Sequence, residues 1–299
     1  MNNFAATVYT IAKGNYKFGA FALINSLRAN GIKNPIVVGT DIHLKELENV
    51  EQVTQVVLDS TWNGINLKPV LLLKHPADYF IYFDADIILT DAGLITEIEK
   101  RLQEKKFFTC VDGIVSEHEI RRHYWQEIYP IKEASNQLTC WYYNSGFFAG
   151  SFKDHQWILE DWKQLNQTYL DPEAYLFNNP KLPMGDQDTF NAILQTLPTQ
   201  NMASIQMPDW RAVNIQAHPF YHIANFRPQA FLHCTGKDKP WLFHHAPAKP
   251  PTAYHDLWYQ YIIKSAEPVT CNFPLSFMLN EWFKRSYLSR IIIKIKAVF

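Results

Sequence analysis

Long apolar runs are missing from this chain: nowhere does it hold the roughly 20 uncharged apolar residues of a membrane-spanning helix. Its first residues, MNNFAATVYTIAKGN, carry neither a basic start nor a long apolar core, so a cytoplasmic location is expected. Cysteine is scarce too. Cys110, Cys140, Cys234 and Cys271 are scattered without C-x-x-C spacing, which points to free thiols in a reducing compartment. The formal net charge is -1, so no global field draws in nucleic acid and any polyanion must meet a local patch. Core material, by contrast, is plentiful. Of the 299 residues 47% are hydrophobic and 15% aromatic, enough for one large α/β domain with an appendage.

The organising stretch is YFIYFDADIILT, from Tyr79 to Thr90. Tyr79 to Phe83 is the aromatic and β-branched mix of a strand buried on both faces, and Asp84, Ala85 and Asp86 break it as a short turn. In an open α/β sheet ligands bind beyond the carboxyl ends of the strands, where Asp84 and Asp86 would project. A D-x-D pair suits Mg2+ or Mn2+, with phosphate oxygens and water completing the shell. The bland alternative is an Asx turn and a helix cap, which Thr90 and Asp91 before GLITEIEK also support. Alone, the pair is weak evidence.

Strands and helices alternate along the chain. Ala5 to Ile11 reads as a strand, Tyr16 to Arg28 as a helix closed by Asn30 and Gly31, Pro35 to Gly39 and Val53 to Leu58 as strands, and Leu67 to Lys74 as a helix. That order predicts a mostly parallel central sheet flanked by helices. A helix from Gly93 to Glu104 precedes a strand, Phe107 to Val111, that ends at Asp112. Ser116 to Thr139 is polar, charged and aromatic, and reads as a lid or helical insertion rather than core.

Three later segments carry chemistry. In CWYYNSGFFAG, Asn144, Ser145 and Gly146 suggest two strand pieces meeting at a small-residue bend that admits a ligand; a simple bulge or hairpin explains it as well. GDQDTFNAILQTL opens a helix after Gly185, with Asp186, Gln187 and Asp188 crowding its first turn and Phe190, Ile193 and Leu194 at helical spacing. An N-cap acid explains one of the three. In FLHCTGKDKPW a short strand, Phe231 to Cys234, carries His233; Thr235 and Gly236 turn the chain so that Lys237 and Lys239 can meet an anion. Imidazole is a third ligand type for a Mn2+-like ion, and an ammonium suits phosphate. A lone histidine is more often structural.

Together FDADIIL, YYNSGFFAG, GDQDTFN and HCTGKDKPW resemble, in order and approximate spacing, the retaining glycosyltransferase family 8, as far as about Trp241. The best single match is H-x-x-G-x-x-K-P-W, met by His233, Gly236, Lys239, Pro240 and Trp241. The resemblance implies a GT-A fold, a nucleotide-sugar donor that is usually a UDP-sugar, a saccharide acceptor, and Mn2+ (or Mg2+) held by Asp84, Asp86 and His233. It further implies donor contacts from Thr10, Asn15, Tyr16, Lys68, Ala85, Asp112, Asn144, Ser145, Gly236 and Lys239, with Gln187 beside the anomeric carbon and Asp186 on the sugar hydroxyls. A glutamine amide is a poor nucleophile, so front-side attack stands beside a covalent route. One departure concerns the nucleotide. Where the family often carries an acid that reads uracil, this chain has Ala12, Lys13 and Gly14.

Two other classes share parts of this pattern. A sugar nucleotidyltransferase needs a glycine-rich basic triphosphate loop, but Thr10 to Tyr16 holds only Gly14. A degenerate sugar-nucleotide-binding protein would be expected to have lost a ligand or the phosphate lysine, and none is lost here. The expected division is a catalytic domain, 1–265, and a basic, apolar tail, 266–299. In WFKRSYLSRIIIKIKAVF, Leu288, Ile291, Ile292 and Ile295 form one arc of a helical wheel flanked by Arg285, Arg290, Lys294 and Lys296. Such a tail is expected to lie on an anionic membrane near a lipid-linked acceptor, although IIIKIK also reads as a final core element.

Overall fold

The computed structural model describes residues 5–58, 61–116, 118–130, 140–172, 179–205, 223–224, 227–235, 239–241, 252–284 and 286. Strand β1 (Thr7–Ile11) leads through a 3-10 turn at Gly14–Tyr16 into helix α1 (Lys17–Ala29). Then come β2 (Ile36–Thr40), β3 (Val53–Val57), α2 (Lys68–Lys74), β4 (Tyr79–Phe83), the short β5 (Ile87–Leu89), α3 (Gly93–Gln103), β6 (Phe107–Ile114) and α4 (Ile120–Ile128). Next are β7 (Trp141–Ser151), α5 (Phe152–Tyr169), α6 (Asp186–Leu194), β8 (Met202–Ile205), the two-residue pair β9 (Ile223–Ala224) and β10 (Arg227–Pro228), β11 (Phe231–His233), α7 (Ala253–Tyr259) and α8 (Leu275–Lys284).

Seven strands form one sheet in the order β3-β2-β1-β4-β7-β6-β8. All pairings are parallel except those of β7, which runs against β4 and β6. The parallel strands are apolar on both faces because helices cover both, which is why β1, β2 and β4 lack a polar alternation. Two clusters result. One packs α1, α3 and α7 on one face; the other packs α2, α5 and α6 on the opposite face around Phe148, Trp162 and Phe190. Ser151 caps α5 by accepting the Asp154 amide at 3.1 Å, so strand and helix join without a loop.

Three expectations change. β7 is one continuous strand carrying a bulge, the alternative to two pieces meeting at a bend: its last five residues, 147–151, pair with β4, while its ladder with β6 jumps from Thr109–Phe148 to Cys110–Asn144. Ser145, Gly146 and Phe147 are the extra residues of that bulge; the Gly146 carbonyl accepts the Asp84 amide at 2.7 Å, and the Ser145 hydroxyl meets Lys68 and Asp186. Asp112 sits inside β6, at a second irregularity, instead of ending it. The stretch expected as a lid contributes core, because α4 buries Trp125, which stacks on Tyr142 at 5.8 Å; residues 131–139 lie outside those described.

The start of the expected tail is packed too. The Asn25 amide donates to the carbonyls of Tyr261 and Val269, and its oxygen accepts the Val269 amide at 2.9 Å. Phe273 and Phe277 pack on Trp258. The proposed tail arc from Leu288 to Ile295 lies outside the described residues. Among those described, no helix is long and apolar enough to cross a membrane. None of the four cysteines is joined in a disulfide.

Candidate active site

The site starts from β4. Its apolar run ends at Phe83, and the Asp84–Asp86 turn hands the chain to β5, whose Ile87, Ile88 and Leu89 pair antiparallel with His233, Leu232 and Phe231 of β11. The Cys234 amide donates to the Asp86 carbonyl at 2.9 Å, continuing the ladder to the turn. A residue 147 positions away in sequence thus faces the D-x-D pair: His233 Nε2 lies 3.0 Å from Asp86 Oδ1 and 4.0 Å from an Asp84 oxygen. Asp91 is the acid for which the bland Asx-turn reading holds, accepting the Gly93 amide at 2.9 Å just before α3.

Close backbone approach shapes this corner. A Cβ on Gly146 would sit 2.6 Å from Asp84 Oδ2 and 2.7 Å from His233 Cε1, so the bulge of β7 closes the gap between the two side chains without filling it. A Cβ on Gly19 would fall 2.3 Å from the Ala85 carbonyl, so α1 supports the turn from behind. Each of Asp84, Asp86 and His233 offers one atom, and these atoms lie within 4.8 Å of one another. Two hard oxygens and an imidazole at that spacing, beside an open cleft, fit a divalent cation.

Two lysines balance the acids. Lys239 Nζ pairs with Asp86 Oδ2 and donates to the Cys234 carbonyl. Burial would push the Asp86 carboxyl up, but the Lys239 ammonium and then His233 outweigh it and hold it well below the usual carboxylate range. Lys68, whose side chain is 2% exposed, lies 2.9 Å from Asp186 Oδ2, 3.3 Å from Asp84 Oδ1 and 3.1 Å from Ser145 Oγ. Burial opposes its charge, yet Asp186 and Asp84 together raise its pKa, so it is an ammonium. Asp186 shares that single cation with Asp84, and burial keeps its own pKa above the ordinary value. Tyr82, absent from the sequence-based set, donates its hydroxyl to Asp84 Oδ1 at 3.0 Å. Its signal was the strand alternation that puts residue 82 on the face of residue 84.

Helix α6 supplies the second wall. Gly185, at φ 54°, turns the chain into a first turn where Asp186 and Gln187 face the cleft and Asp188 does not. Asp188 instead accepts the Met184 amide at 2.8 Å and the Tyr142 hydroxyl at 3.2 Å, so it is the structural acid of the three. Gln187 Nε2 donates to Asp112 Oδ2 at 3.0 Å, which also accepts from Asn144 Nδ2 at 3.3 Å. Ser145 donates its amide to Gln187 Oε1 and its hydroxyl to Asp186. Asn191 pins this register: its side chain accepts the Tyr143 amide and donates to the Tyr143 carbonyl, each at 2.8 Å. Sequence reasoning missed Asn191, whose only signal was its place one turn after Gln187.

These groups line one cleft of about 570 Å3 at the carboxyl end of the sheet. It brings together Tyr16, Lys68, Asp84, Ala85, Asp86, Asp112, Asn144, Ser145, Asp186, Gln187, His233 and Lys239. Two expected donor contacts do not join them. Thr10 is buried within β1, because strand alternation gives the cleft Ile11 instead. Asn15 is exposed, because the 3-10 turn presents Tyr16 and leaves Asn15 outside. Gly236 and Lys237 lie outside the described residues.

Neither a protein-family model nor a curated protein sequence matches the chain. Solved structures do. An active-site mutant of LgtC matches with a TM-score of 0.58 at 15% identity, over 92% of this chain and 99% of that one. The galactosyltransferase LgtC in complex with donor and acceptor sugar analogs gives 0.53 at 13%, over 92% and 99%. GlyE of Streptococcus pneumoniae TIGR4 gives 0.53 at 15%, over 95% of this chain and 64% of its own. The fold is the GT-A fold of glycosyltransferases. It has the seven-stranded, mostly parallel sheet flanked by helices that the alternation of elements predicts.

Proposed function

We propose that the protein is a metal-dependent, retaining glycosyltransferase of family 8 that moves a hexose from a nucleotide-sugar, a UDP-sugar first among them, to a saccharide acceptor. The observation that carries this reading is the meeting of Asp84, Asp86 and His233 within 4.8 Å at the end of a cleft whose buried lysines already hold carboxylates. Likeness to a fold whose solved members include a galactosyltransferase bound to donor and acceptor sugar analogs supports it.

In this reading the two aspartates and His233 hold Mn2+ or Mg2+, which neutralises charge on the leaving diphosphate. Lys239 exchanges its carboxylate partner for the diphosphate, an acceptor of the same charge type. Tyr16 and Ala85 border the donor. Asp186 and Asp112 receive sugar hydroxyls, with Lys68 and Asn144 holding those carboxylates in place. Gln187 stands at the anomeric carbon. Its carbonyl oxygen already accepts the Ser145 amide and its nitrogen is spent on Asp112, so it positions and polarises better than it attacks, in line with front-side displacement. The catalytic unit is 1–265, with the start of 266–299 packed on it at Val269 and Phe273, and this basic, apolar extension brings the cleft to a lipid-linked saccharide acceptor at the inner face of a membrane.

The test is hydrolysis of a panel of nucleotide sugars without acceptor, with Mn2+, Mg2+ or excess chelator. Slow, metal-dependent release of nucleoside diphosphate is expected, and Asp86→Ala should abolish it. Full activity in chelator or in that variant removes the metal claim. Formation of a nucleoside triphosphate from pyrophosphate identifies a nucleotidyltransferase instead. Binding without any turnover identifies a binding protein.

A further inference from the structure

One end of the cleft has no part in the transfer described above. Beyond Tyr16 its walls are Ile11 and Lys13, at and just past the end of β1, and Asn63, Gly64 and Ile65, just ahead of α2. The two walls converge. A Cβ on Gly64 would lie 3.5 Å from Ile11 Cγ2 and 3.6 Å from Lys13 Cβ, which is ordinary van der Waals contact and closes the cleft here. Lys13 Nζ donates to the Trp62 carbonyl, so the side chain reaches across from one wall to the other. Among the described residues Lys13 is the one charged group of this end. Other polar groups around it are taken up within the chain: Asp41 accepts the Gly14 amide at 3.1 Å, the Asn63 oxygen accepts the Ile65 amide at 3.3 Å, and the Asn63 amide donates to the Pro172 carbonyl at 2.8 Å.

A nucleotide-sugar is a linear molecule that runs from sugar through diphosphate and ribose to base. With its diphosphate at Asp86 and Lys239 and its anomeric carbon at Gln187, the nucleoside continues on the other side of the diphosphate. Tyr16 marks that direction. Its ring centre lies 5.9 Å from Lys239 Nζ, and its amide donates to the Lys13 carbonyl at 3.2 Å. The saccharide acceptor has no use for this end, because it must reach the anomeric carbon. We propose that Lys13 is a specificity-determining residue that reads the far edge of the donor's base, its ammonium donating to a keto oxygen such as O4 of uracil or O6 of guanine. This rests on the nucleotide-sugar reading and adds the class of base to it. An ammonium carries donors and no acceptor. It therefore matches a keto oxygen, but meets the exocyclic amino group of cytosine or adenine donor against donor. A site built to hydrogen-bond one group rejects the analogue that cannot reciprocate, because both sides are left unpaired. Uracil and cytosine share O2, but that atom adjoins the glycosidic bond and stays toward the ribose, so the closed end of the cleft senses only the edge at which the two bases differ.

The test is calorimetric titration of the full chain with UDP, GDP, CDP and ADP in the presence of Mn2+. Wild type should bind UDP and GDP about tenfold or more tighter than CDP and ADP, the size of one well-matched hydrogen bond to a charged donor. In Lys13→Met the affinities for UDP and GDP should fall by about tenfold, while those for CDP and ADP change by less than about threefold. Lys13 also holds the Trp62 carbonyl, so a second arm changes the ligand and leaves the protein intact. The diphosphate of 4-thiouridine, whose sulfur accepts hydrogen bonds poorly, should bind wild type several-fold more weakly than UDP and bind Lys13→Met as tightly as UDP. Equal affinity of wild type for all four diphosphates overturns the proposal, as does equal binding of UDP and its thio analogue by wild type. So does an equal loss for all four in Lys13→Met, which makes the lysine a phosphate contact. Binding of none of the four counts against the nucleotide-sugar reading itself and removes the proposal with it.

Discussion

Gly146→Ala isolates the metal corner from the fold. Gly146 does not use the left-handed backbone, so alanine meets no torsional penalty there. What it meets is the site: the new methyl lies 2.6 Å from Asp84 Oδ2, 2.7 Å from His233 Cε1 and 2.8 Å from Asn144 Oδ1, where ordinary contact begins at 3.4 Å. Asp84 has room to rotate away because its side chain is 22% exposed to the cleft, whereas His233 is held by its strand and only 5% exposed. The carboxylate therefore yields, and the three donor atoms no longer fit one sphere. Displacing a group that orients a ligand typically costs 10- to 100-fold in metal affinity. Overpacking a site that can relax costs about 1 kcal/mol, at the low end of the usual range. Gly150→Ala on the same strand is the control, since its methyl would strike Phe80 Cζ at 2.6 Å in the core, away from the cleft. Calorimetric titration with Mn2+ and urea unfolding read both quantities. We expect Gly146→Ala to lose 10- to 100-fold in Mn2+ affinity with little loss of stability, and Gly150→Ala the reverse. Mn2+ affinity within twofold of wild type in a folded Gly146→Ala protein would refute the placement of Asp84 and His233 around one ion.

Other expected outcomes follow from the buried charges. Lys68→Met removes the cation that Asp84 and Asp186 share and should destabilise the fold by about 3 to 5 kcal/mol, read by urea unfolding; a loss under 1 kcal/mol contradicts the ion-pair geometry. Lys239→Ala should weaken nucleoside diphosphate binding about 10- to 100-fold, as loss of a charge-assisted hydrogen bond does, and equal affinity in calorimetry excludes the lysine as the phosphate contact. His155 accepts the Ser151 amide on Nδ1, and burial lowers its pKa below 6.5. The unfolded chain gains that proton first, so stability is full above pH 6.5 and falls as pH drops toward the folded value, by at most about 1.4 kcal/mol per unit. His155→Asn, which keeps an acceptor but cannot titrate, should flatten this slope between pH 7 and 5; an unchanged slope assigns it to other groups.

Local chemistry was sufficient to make much of this molecule legible in advance. The two-faced apolar run of β4, the alternation of strands with amphipathic helices, and the acids opening α6 each depend on neighbours a few residues apart, which pattern and propensity report directly. The residues of the cleft were legible as types. What only the tertiary structure decided is which of them meet. His233 reaches the D-x-D pair through a three-residue ladder with β5, and Lys68 faces Asp186 across an interval of 118 positions; no local signal encodes either. The bulge of β7 was one of two readings its small residues left open, and only the register with β6 decided it; Thr10 and Asn15 stand off the cleft because one strand phase and one 3-10 turn decide which side chain faces it. Side-chain identity is local, but proximity between distant segments is set by sheet order and register, and those are properties of the assembled chain.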